Sequence, residues 1–228
     1  SAHYADRLEE HGVFESIDVI WNGIDDDALD QVLAGRSAVR RPGRPRLVWA
    51  GRLSGEKRVL PFLRAVADAD LDADVEVIGG GGQLEPARRL AEDLGLAGSV
   101  RMSGRIPYAD ALQRIADADA LVQTSIGFET QGMTVFEAAS FGVPSVLSDP
   151  DIAAELGGGS WLVESADTEA GRVSALAAAL SRAVSDISDG AAPTPPADVA
   201  DRFRQSSRTD AMISVYERVL AEHPVSRA

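Results

Sequence analysis

The sequence contains no cysteine and few aromatic residues, and these shortages limit what the chain can be. Without cysteine it can form neither disulfides nor a cysteine-based zinc site. Aromatic residues make up 5% of the chain, so an aliphatic core is expected. No apolar run approaches the ~20 residues of a membrane-spanning helix, and no basic segment followed by an apolar run indicates a signal peptide. We therefore expect a cytoplasmic protein.

Lysine and histidine are also scarce. Lys57 is the single lysine among 22 basic residues, and the formal net charge of −14 argues against nucleic acid as a general partner. The three histidines, His3, His11 and His223, lie near the termini. A histidine-based catalytic arrangement is therefore not expected at the centre of the domain, and we predict no metal site.

The most informative stretch runs from Gly127 to Pro144 and reads G-F-E-T-Q-G-M-T-V-F-E-A-A-S-F-G-V-P. It follows an apolar, strand-like run at Ala120–Thr124. Gly132 stands where a loop should turn into a helix, and Gly142 with Pro144 should end that helix. A helix that opens at a glycine offers unpaired backbone N–H groups and a partial positive charge, which suits a phosphate.

Two glutamates, Glu129 and Glu137, belong to this stretch. Glu137 falls within the first turns of the predicted helix, too close to a bound phosphate to be its ligand. It is better placed to accept hydrogen bonds from sugar hydroxyls beside the phosphate, and we expect its carboxylate to be half-exposed. Two glutamates at this spacing also arise by chance in many chains, so the pair alone is weak support for a site.

A second candidate segment follows the apolar strand Arg46–Ala50, where Gly51 opens a turn into a helix over Val59–Ala69. Ligand sites in parallel sheets lie at the carboxyl ends of strands. Arg52 and Lys57 stand in this turn and could converge on one diphosphate, the arginine as a fork and the lysine as a point charge. The alternative is two solvated cations, but a helix N-terminus disfavours cations unless an anion is bound there.

Four glycines, Gly79–Gly82, follow the predicted strand Asp74–Ile78. They fail the dinucleotide-binding pattern, because Leu84 or Glu85 stands where its last glycine or alanine belongs. A loop that lets the backbone approach a nucleotide is the better interpretation.

Helical patterns predict further helices at Ala2–His11, Leu84–Leu94, Tyr108–Ala116, Ile152–Leu156, Glu169–Val184 and from about Ser207 to Leu220. The run Phe14–Ile20 alternates loosely and leads into an Asn-Gly turn.

The stretch around the glutamates resembles the donor-site pattern of retaining glycosyltransferases with the GT-B architecture, the group-1 glycosyl transferase family. The matching residues are Glu129, Gly132, Glu137, Ala138, Gly142 and Pro144, whereas Thr130 and Gln131 depart from the family's usual Gly-Phe or Pro-Phe. The segment with Arg52 and Lys57 is similar to the family's Gly-Arg-Leu…Glu-Lys-Gly, with Arg58 in place of the last glycine. The resemblance extends from Val19 to about Val184.

The resemblance implies a catalytic set of three residues. Arg52 and Lys57 would stabilise the diphosphate leaving group of a nucleotide-diphosphate sugar, and Glu129 would orient the transferred sugar. Glu137 would hold ribose hydroxyls, and the nucleotide would also meet Gly132, Met133, Thr134, Ile106 and Gly80. No cofactor is implied, because the nucleotide sugar is a substrate and the two basic side chains can take the role of a metal.

Roughly six βα units in alternation indicate an α/β fold, a Rossmann-like parallel sheet with helices on both faces. By resemblance it is the C-terminal half of a GT-B architecture. The expected division is 1–22 as the tail of the acceptor domain and the interdomain linker, 23–188 as the nucleotide-sugar-binding domain, and 189–228 as a Pro-rich linker and C-terminal helix. The N-terminal acceptor domain is expected to be missing, the chain alone should be inactive, and peripheral membrane association through the absent half is left open.

Three alternatives remain at this stage. A non-catalytic module that senses or carries nucleotide sugars would use the same binding residues. Another GT-B enzyme, such as an epimerase or a phosphorylase-like protein, would share the architecture. A flavodoxin-like signalling domain is disfavoured, because the first strand lacks an acidic cluster.

Overall fold

A six-stranded parallel sheet organises the protein, whose computed structural model describes residues 2–12, 17–35, 43–127 and 129–222. The strand order is β3-β2-β1-β4-β5-β6, and every neighbouring pair is parallel. The strands are β1 (Arg46–Ala50), β2 (Asp74–Ile78), β3 (Val100–Gly104), β4 (Ala120–Gln123), β5 (Ser145–Leu147) and β6 (Ser160–Leu162). The predicted α/β, Rossmann-like fold is confirmed.

Helices precede, connect and follow the strands. They are α1 (Ala2–Glu10), α2 (Asp26–Gly35), α3 (Val59–Ala69), α4 (Leu84–Asp93), α5 (Tyr108–Ala116), α6 (Met133–Ser140), α7 (Pro150–Leu156), α8 (Glu169–Ser188), α9 (Val199–Arg202) and α10 (Gln205–Glu222). In the described ranges, none of the helices is long and apolar enough to cross a membrane.

The sheet is covered on both faces because its strands are apolar on both sides. In β1, Leu47 and Trp49 belong to one hydrophobic cluster and Val48 to the other. The first cluster is completed by α3, α4 and α8, and the second by α2, α5, α6, α7 and α9. The core is largely aliphatic, as expected, but four of the six phenylalanines are also fully buried in it.

Most predicted elements lie where the sequence placed them, with shifts of a few residues at their ends. Two helices were not predicted: α2, which buries Leu29 and Val32, and the single turn α9. Helix α8 continues to Ser188, four residues beyond its predicted end. The predicted alternating run at 14–20 lies partly outside the described residues, and positions 17–20 are irregular.

The segments that lead into and out of the sheet are joined to each other. We name residues 21–26 and 201–206 the terminal clasp. Ile24 pairs with Arg204 in a parallel bridge. The Ile24 N–H donates to the Phe203 carbonyl at 2.7 Å, and the Ile24 carbonyl accepts from the Gln205 N–H at 2.8 Å. The Phe203 ring stacks on Phe136 of α6 at 4.2 Å between centroids. Both segments are thereby fixed to the helix that follows β4.

Candidate functional site

A cavity of about 240 Å³ opens where β1 and β4, neighbours in the sheet, reach their carboxyl ends. The chain runs from β1 outward through β2 to β3, and then returns to the opposite side of β1 with β4. This reversal is the topological switch point at which open α/β sheets bind ligands. The cavity is lined mainly by the two loops after these strands, at Asn22, Trp49, Ala50, Gly51, Arg52, Lys57, Val122, Gln123, Thr124, Ser125, Glu129, Thr130, Gln131, Gly132, Met133 and Thr134.

Lys57 and Glu129 form an ion pair within this cavity, although 72 positions separate them in the sequence. Their side chains are 23% and 13% exposed, so the pair is shielded from most solvent. The Lys57 backbone is fixed as well, since its carbonyl accepts a hydrogen bond of 2.6 Å from the Thr124 hydroxyl. The two loops are therefore bound together by the candidate catalytic residues themselves.

Arg58 holds the turn that presents Lys57. Its φ of 59° lies in the left-handed region, where a non-glycine residue is uncommon. Its guanidinium forms two hydrogen bonds of 3.1 Å each with the Glu169 carboxylate at the start of α8. This bidentate pair stabilises an arginine at a position where the group-1 pattern has glycine.

The loop that carries Glu129 is anchored at both ends. The Ser125 hydroxyl donates to the Glu129 carboxylate at 2.7 Å. The Gly127 N–H donates to Asp149 at 2.9 Å, and the other Asp149 oxygen accepts from backbone N–H groups at the start of α7. Asp149 is 3% exposed, so one buried carboxylate ties this loop to the next helix.

Gln131 forms the second anchor of the same loop. Its side-chain oxygen accepts from the Asn22 N–H at 2.8 Å, and its side-chain nitrogen donates to the Asn22 carbonyl at 3.0 Å. The sequence identified Gln131 only as a departure from the family pattern. The structure gives it a role, because an amide can satisfy both backbone groups of Asn22 where a phenylalanine cannot.

Helix α6 begins at the cavity, as predicted. Gly132 is its N-terminal cap with a φ of 70°, and a Cβ atom there would come within 2.8 Å of Ile152. No side chain caps this end of the helix. The first turn, with Met133 and Thr134, therefore directs free backbone N–H groups and the positive end of the helix dipole toward the cavity.

Arg52 lines the cavity but is engaged with a neighbouring carboxylate. Its side chain is 71% exposed, and its guanidinium donates to Glu56 at 3.1 Å. The pKa of Glu56 is lowered, first by its hydrogen bond from the Ser54 hydroxyl and by a smaller contribution from the Arg52 charge. The remaining N–H donors of Arg52 are enough to bind a phosphate while the guanidinium stays paired with Glu56.

Gly80 and Ile106 lie outside the lining of the cavity. The neighbouring glycines, Gly79 and Gly81, have φ of 134° and 154°, and a Cβ on either would clash with the Gly51–Leu53 backbone. The Gly80 carbonyl accepts from the Leu53 N–H at 3.0 Å. The glycine-rich loop thus packs directly against the loop that carries Arg52.

Glu137 is buried, and the expectation that it would be half-exposed is wrong. The residue is 5% exposed and does not line the cavity. Its carboxylate accepts a hydrogen bond of 2.8 Å from the Tyr108 hydroxyl. Burial raises the pKa of Glu137, and the bond from Tyr108 opposes that rise. The sequence missed this because Tyr108 lies on α5, a different helix.

Replacing Glu137 with glutamine should stabilise the fold at neutral pH. Burial makes the folded protein hold the Glu137 proton more tightly than the unfolded chain does. Stability is therefore lost as the pH rises from the unfolded pKa through the folded one. Glu137→Gln removes that loss and should raise the Tm at pH 7.5 by roughly 2–4 °C, the scale of about 1 kcal/mol for a chain of this size.

Thermal unfolding of both proteins between pH 4 and pH 8 measures the effect, and the gain should shrink toward pH 4. Equal or lower stability of Glu137→Gln at pH 7.5 would contradict the prediction. Glu155→Gln is the control, because Glu155 also accepts a side-chain hydrogen bond, at 2.9 Å from the Trp21 ring, but is only partly buried.

Within the described ranges, no three acidic or histidine side chains are grouped so that they could hold a metal ion.

Comparison with known proteins relates these features to one family. The family model described as glycosyl transferases group 1 matches residues 36–186, which include both loops of the cavity. The lipopolysaccharide 1,6-galactosyltransferase of Salmonella typhimurium is 32% identical over 106 residues, covering 45% of this chain and 29% of that protein. The enzyme of the same name from Escherichia coli is 28% identical over 150 residues, covering 63% of this chain and 40% of that protein. The chain thus spans less than half the length of these curated relatives.

A solved structure gives the same result at the level of fold. The pneumococcal O-GlcNAc transferase GtfA, determined with UDP and GlcNAc, superposes with a TM-score of 0.69 at 18% identity. The match covers 96% of this chain and 44% of that one. With its family model, sheet order and switch-point cavity in agreement, the chain belongs to the group-1 glycosyl transferases.

Proposed function

We propose that this chain is the donor half of a retaining glycosyltransferase, which binds a nucleotide-diphosphate sugar and transfers the sugar to an acceptor. The observation that carries the proposal is the meeting of Lys57, Glu129 and the uncapped start of α6 in one switch-point cavity. An ammonium and a helix N-terminus fit a diphosphate, and a carboxylate beside them fits sugar hydroxyls. The UDP bound to the pneumococcal relative makes a uridine nucleotide the first to test.

The main catalytic contribution in this proposal is electrostatic. Negative charge accumulates on the leaving diphosphate as the glycosidic bond breaks, and donors fixed in advance lower the energy of that state. Lys57 has three N–H donors, so it can bind a phosphate oxygen and keep its bond to Glu129. The first N–H groups of α6 add a second source of positive potential, and the free N–H donors of Arg52 supply a third.

Glu129 orients the transferred sugar in this scheme. Its position is set by Ser125 and Lys57, which both bond to the same carboxylate oxygen. The second oxygen of Glu129 then stays available as an acceptor for sugar hydroxyls. Glu137, Gly80 and Ile106 lie outside the cavity lining, so in this proposal the nucleotide extends beyond the cavity, with its ribose hydroxyls on Glu137 and its base against the backbone near Gly80 and Ile106. No cofactor is required, because the leaving group is stabilised by the chain's own cations.

The acceptor half is proposed as the partner of this chain. Helix α10 buries none of its residues, and it exposes a row of large apolar side chains at Met212, Ile213, Tyr216, Val219 and Leu220. A contiguous apolar surface of this kind is a common mark of an interface.

The cytoplasm is the proposed location, and the half that binds the acceptor is the proposed site of any peripheral contact with a membrane.

A calorimetric panel of UDP-, GDP- and ADP-sugars with this chain tests the proposed function. We expect the nucleotide sugars of one base to bind at least tenfold more tightly than those of the other two. The corresponding nucleoside diphosphate should keep most of that affinity. The same panel with Glu129→Gln separates the contribution of the sugar from that of the nucleotide. This variant should lower the affinity for the nucleotide sugar more than the affinity for the nucleoside diphosphate. Failure of every nucleotide to bind would refute the proposal.

Transfer itself should need the acceptor half. Holding two substrates in one cleft supplies a large part of the rate of such reactions. We expect the 228-residue chain to bind the donor but to transfer no sugar to any added acceptor, as measured by release of the nucleoside diphosphate. Robust transfer by this chain would contradict the fragment interpretation. Donor binding without transfer even when the chain is joined to an acceptor half would favour a non-catalytic module.

A further inference from the structure

Tyr108 contacts Glu137, the buried carboxylate proposed to bind the ribose. No pattern in the sequence marks Tyr108 as a site residue. It is the first residue of α5, directly after Pro107 and two positions beyond Ile106. Its hydroxyl donates to Glu137 Oε1 at 2.8 Å. The tyrosine is 49% exposed, whereas the glutamate is 5% exposed. One end of Tyr108 therefore reaches a buried carboxylate, and the rest of its ring faces solvent.

The hydroxyl fixes the orientation of the Glu137 carboxylate. Among the described side chains, Tyr108 is the one that hydrogen-bonds to this carboxylate. With Oε1 occupied, Oε2 is left to accept from a ligand. A carboxylate has two equivalent oxygens and a flexible stem, so a bond to one of them also fixes the orientation of the other.

Tyr108 acts as a donor throughout the ordinary pH range. Burial raises its pKa above the usual value for tyrosine, and the nearby charges of Glu137 and Asp25 add to the rise. Asp25 is itself engaged, because it accepts a 2.8 Å hydrogen bond from the Ala28 N–H at the start of α2. The elements that pack on α6 include α5, α9, β4 and β5. Among the titratable groups on these elements, Tyr108 is the one whose hydrogen bond changes the pKa of Glu137, which it lowers.

We propose that Tyr108 is a positioning residue for ribose recognition: its hydroxyl holds one oxygen of Glu137 so that the other accepts the ribose hydroxyls, and its exposed ring borders the bound ribose. This inference rests on the proposed function, because it assumes that the site takes a nucleotide. Tyr108 lies outside the two loops of the cavity. Through Glu137 it acts on the ribose hydroxyls of the ligand and not on its phosphates.

The test is calorimetry of Tyr108→Phe with three probes: UDP, 2′,3′-dideoxyuridine diphosphate and inorganic pyrophosphate. The variant should bind UDP roughly 5- to 20-fold more weakly, a smaller loss than for a deleted bond to the ligand itself, because the hydroxyl acts only through Glu137. The other two probes lack ribose hydroxyls and should change by less than about twofold. Tyr216→Phe is the matched control, since it makes the same chemical change on the exposed face of α10.

A pH profile of UDP binding separates positioning from simple packing. Without the Tyr108 hydroxyl, the Glu137 carboxylate loses the bond that favours its ionised form. The loss of UDP affinity on acidification should therefore begin at a higher pH in Tyr108→Phe than in the unaltered chain. Titration of the phosphates is common to both proteins and cancels in the ratio of their affinities.

Each outcome decides the matter. A selective loss for UDP with a displaced acid limb supports the inference. Three results would overturn the inference while leaving the proposed function intact. They are equal UDP affinity in Tyr108→Phe and the unaltered chain, equal losses for all three probes, and a loss of UDP affinity on acidification that begins at the same pH in both proteins. If the unaltered chain binds no nucleotide of the panel, the proposed function falls and this inference falls with it.

Discussion

Lys57→Ala should weaken the binding of UDP by ~1.5–3 kcal/mol, or roughly 10- to 150-fold. The ammonium is the only lysine in the sequence, it lies in the switch-point cavity, and it stands beside the start of α6. In the proposed site, its removal deletes the charge-assisted hydrogen bond expected to phosphate, and it leaves Glu129 without its counterion. A bare carboxylate would then repel the diphosphate, so both effects lower affinity. Uridine has no phosphate and should bind almost unchanged.

Three further variants make the Lys57 measurement specific. Lys57→Arg should not restore full affinity, because a planar fork replaces a compact point charge in a confined site. Adding Glu129→Gln to Lys57→Ala should recover part of the loss, since it removes the unpaired carboxylate. Arg182→Ala on the exposed face of α8 controls for net charge. Equal losses for uridine and UDP in Lys57→Ala, or no loss for either, would remove Lys57 from the site.

Gly79→Ala should destabilise the fold by ~3 kcal/mol or more, which corresponds to a fall in Tm of roughly 6–12 °C. A φ of 134° is strained for any residue with a Cβ, and that atom would lie 1.8 Å from the Gly51 carbonyl oxygen. The backbone must therefore move, and the loop that would move carries Arg52. We expect UDP binding to weaken in parallel with stability.

Gly82→Ala is the matched control for this substitution. Gly82 belongs to the same glycine run, but a Cβ there would meet nothing within 4 Å, and its φ is not in the left-handed region. It should change the Tm by a few degrees at most. Thermal unfolding of both variants, followed by calorimetry with UDP at a temperature where both are folded, measures the difference. A Gly79→Ala protein as stable as Gly82→Ala would show that the two loops do not need this close approach.

The fold could be predicted because its information is local. Strands β1, β4 and β5 are mostly apolar runs bounded by turn residues, and α3 and α5 occupy the predicted residues without any shift. Family membership could be predicted for the same reason, because the motif residues from Glu129 to Pro144 are adjacent in the sequence. The single turn α9 could not, since four residues carry too little periodicity to indicate a helix.

The interior of the site was predicted less well, because it depends on contacts between distant positions. The loop sequences placed Lys57 and Glu129 at the same edge of the sheet, but not in contact with each other. The pairing of Gln131 with Asn22 spans 109 positions, and no local pattern encodes it. Glu137 was expected to be half-exposed because it sits near the start of a helix, yet its burial is decided by the side of α6 it occupies and by Tyr108.

The terminal clasp also has a consequence for the order in which the protein folds. Its bonds join positions as far apart as Asp26 and Ser206, which are separated by 180 residues. Closing so long a loop is entropically costly, and contacts of this sequence separation contribute little to the early stages of folding. The contacts that assemble the units from β1 to α8 join closer positions, such as Leu47 with Ala120 in paired strands and Arg58 with Glu169 across 111 positions. The clasp therefore closes late, on a sheet that is already assembled, and it is an element that can open while the core of the domain stays folded.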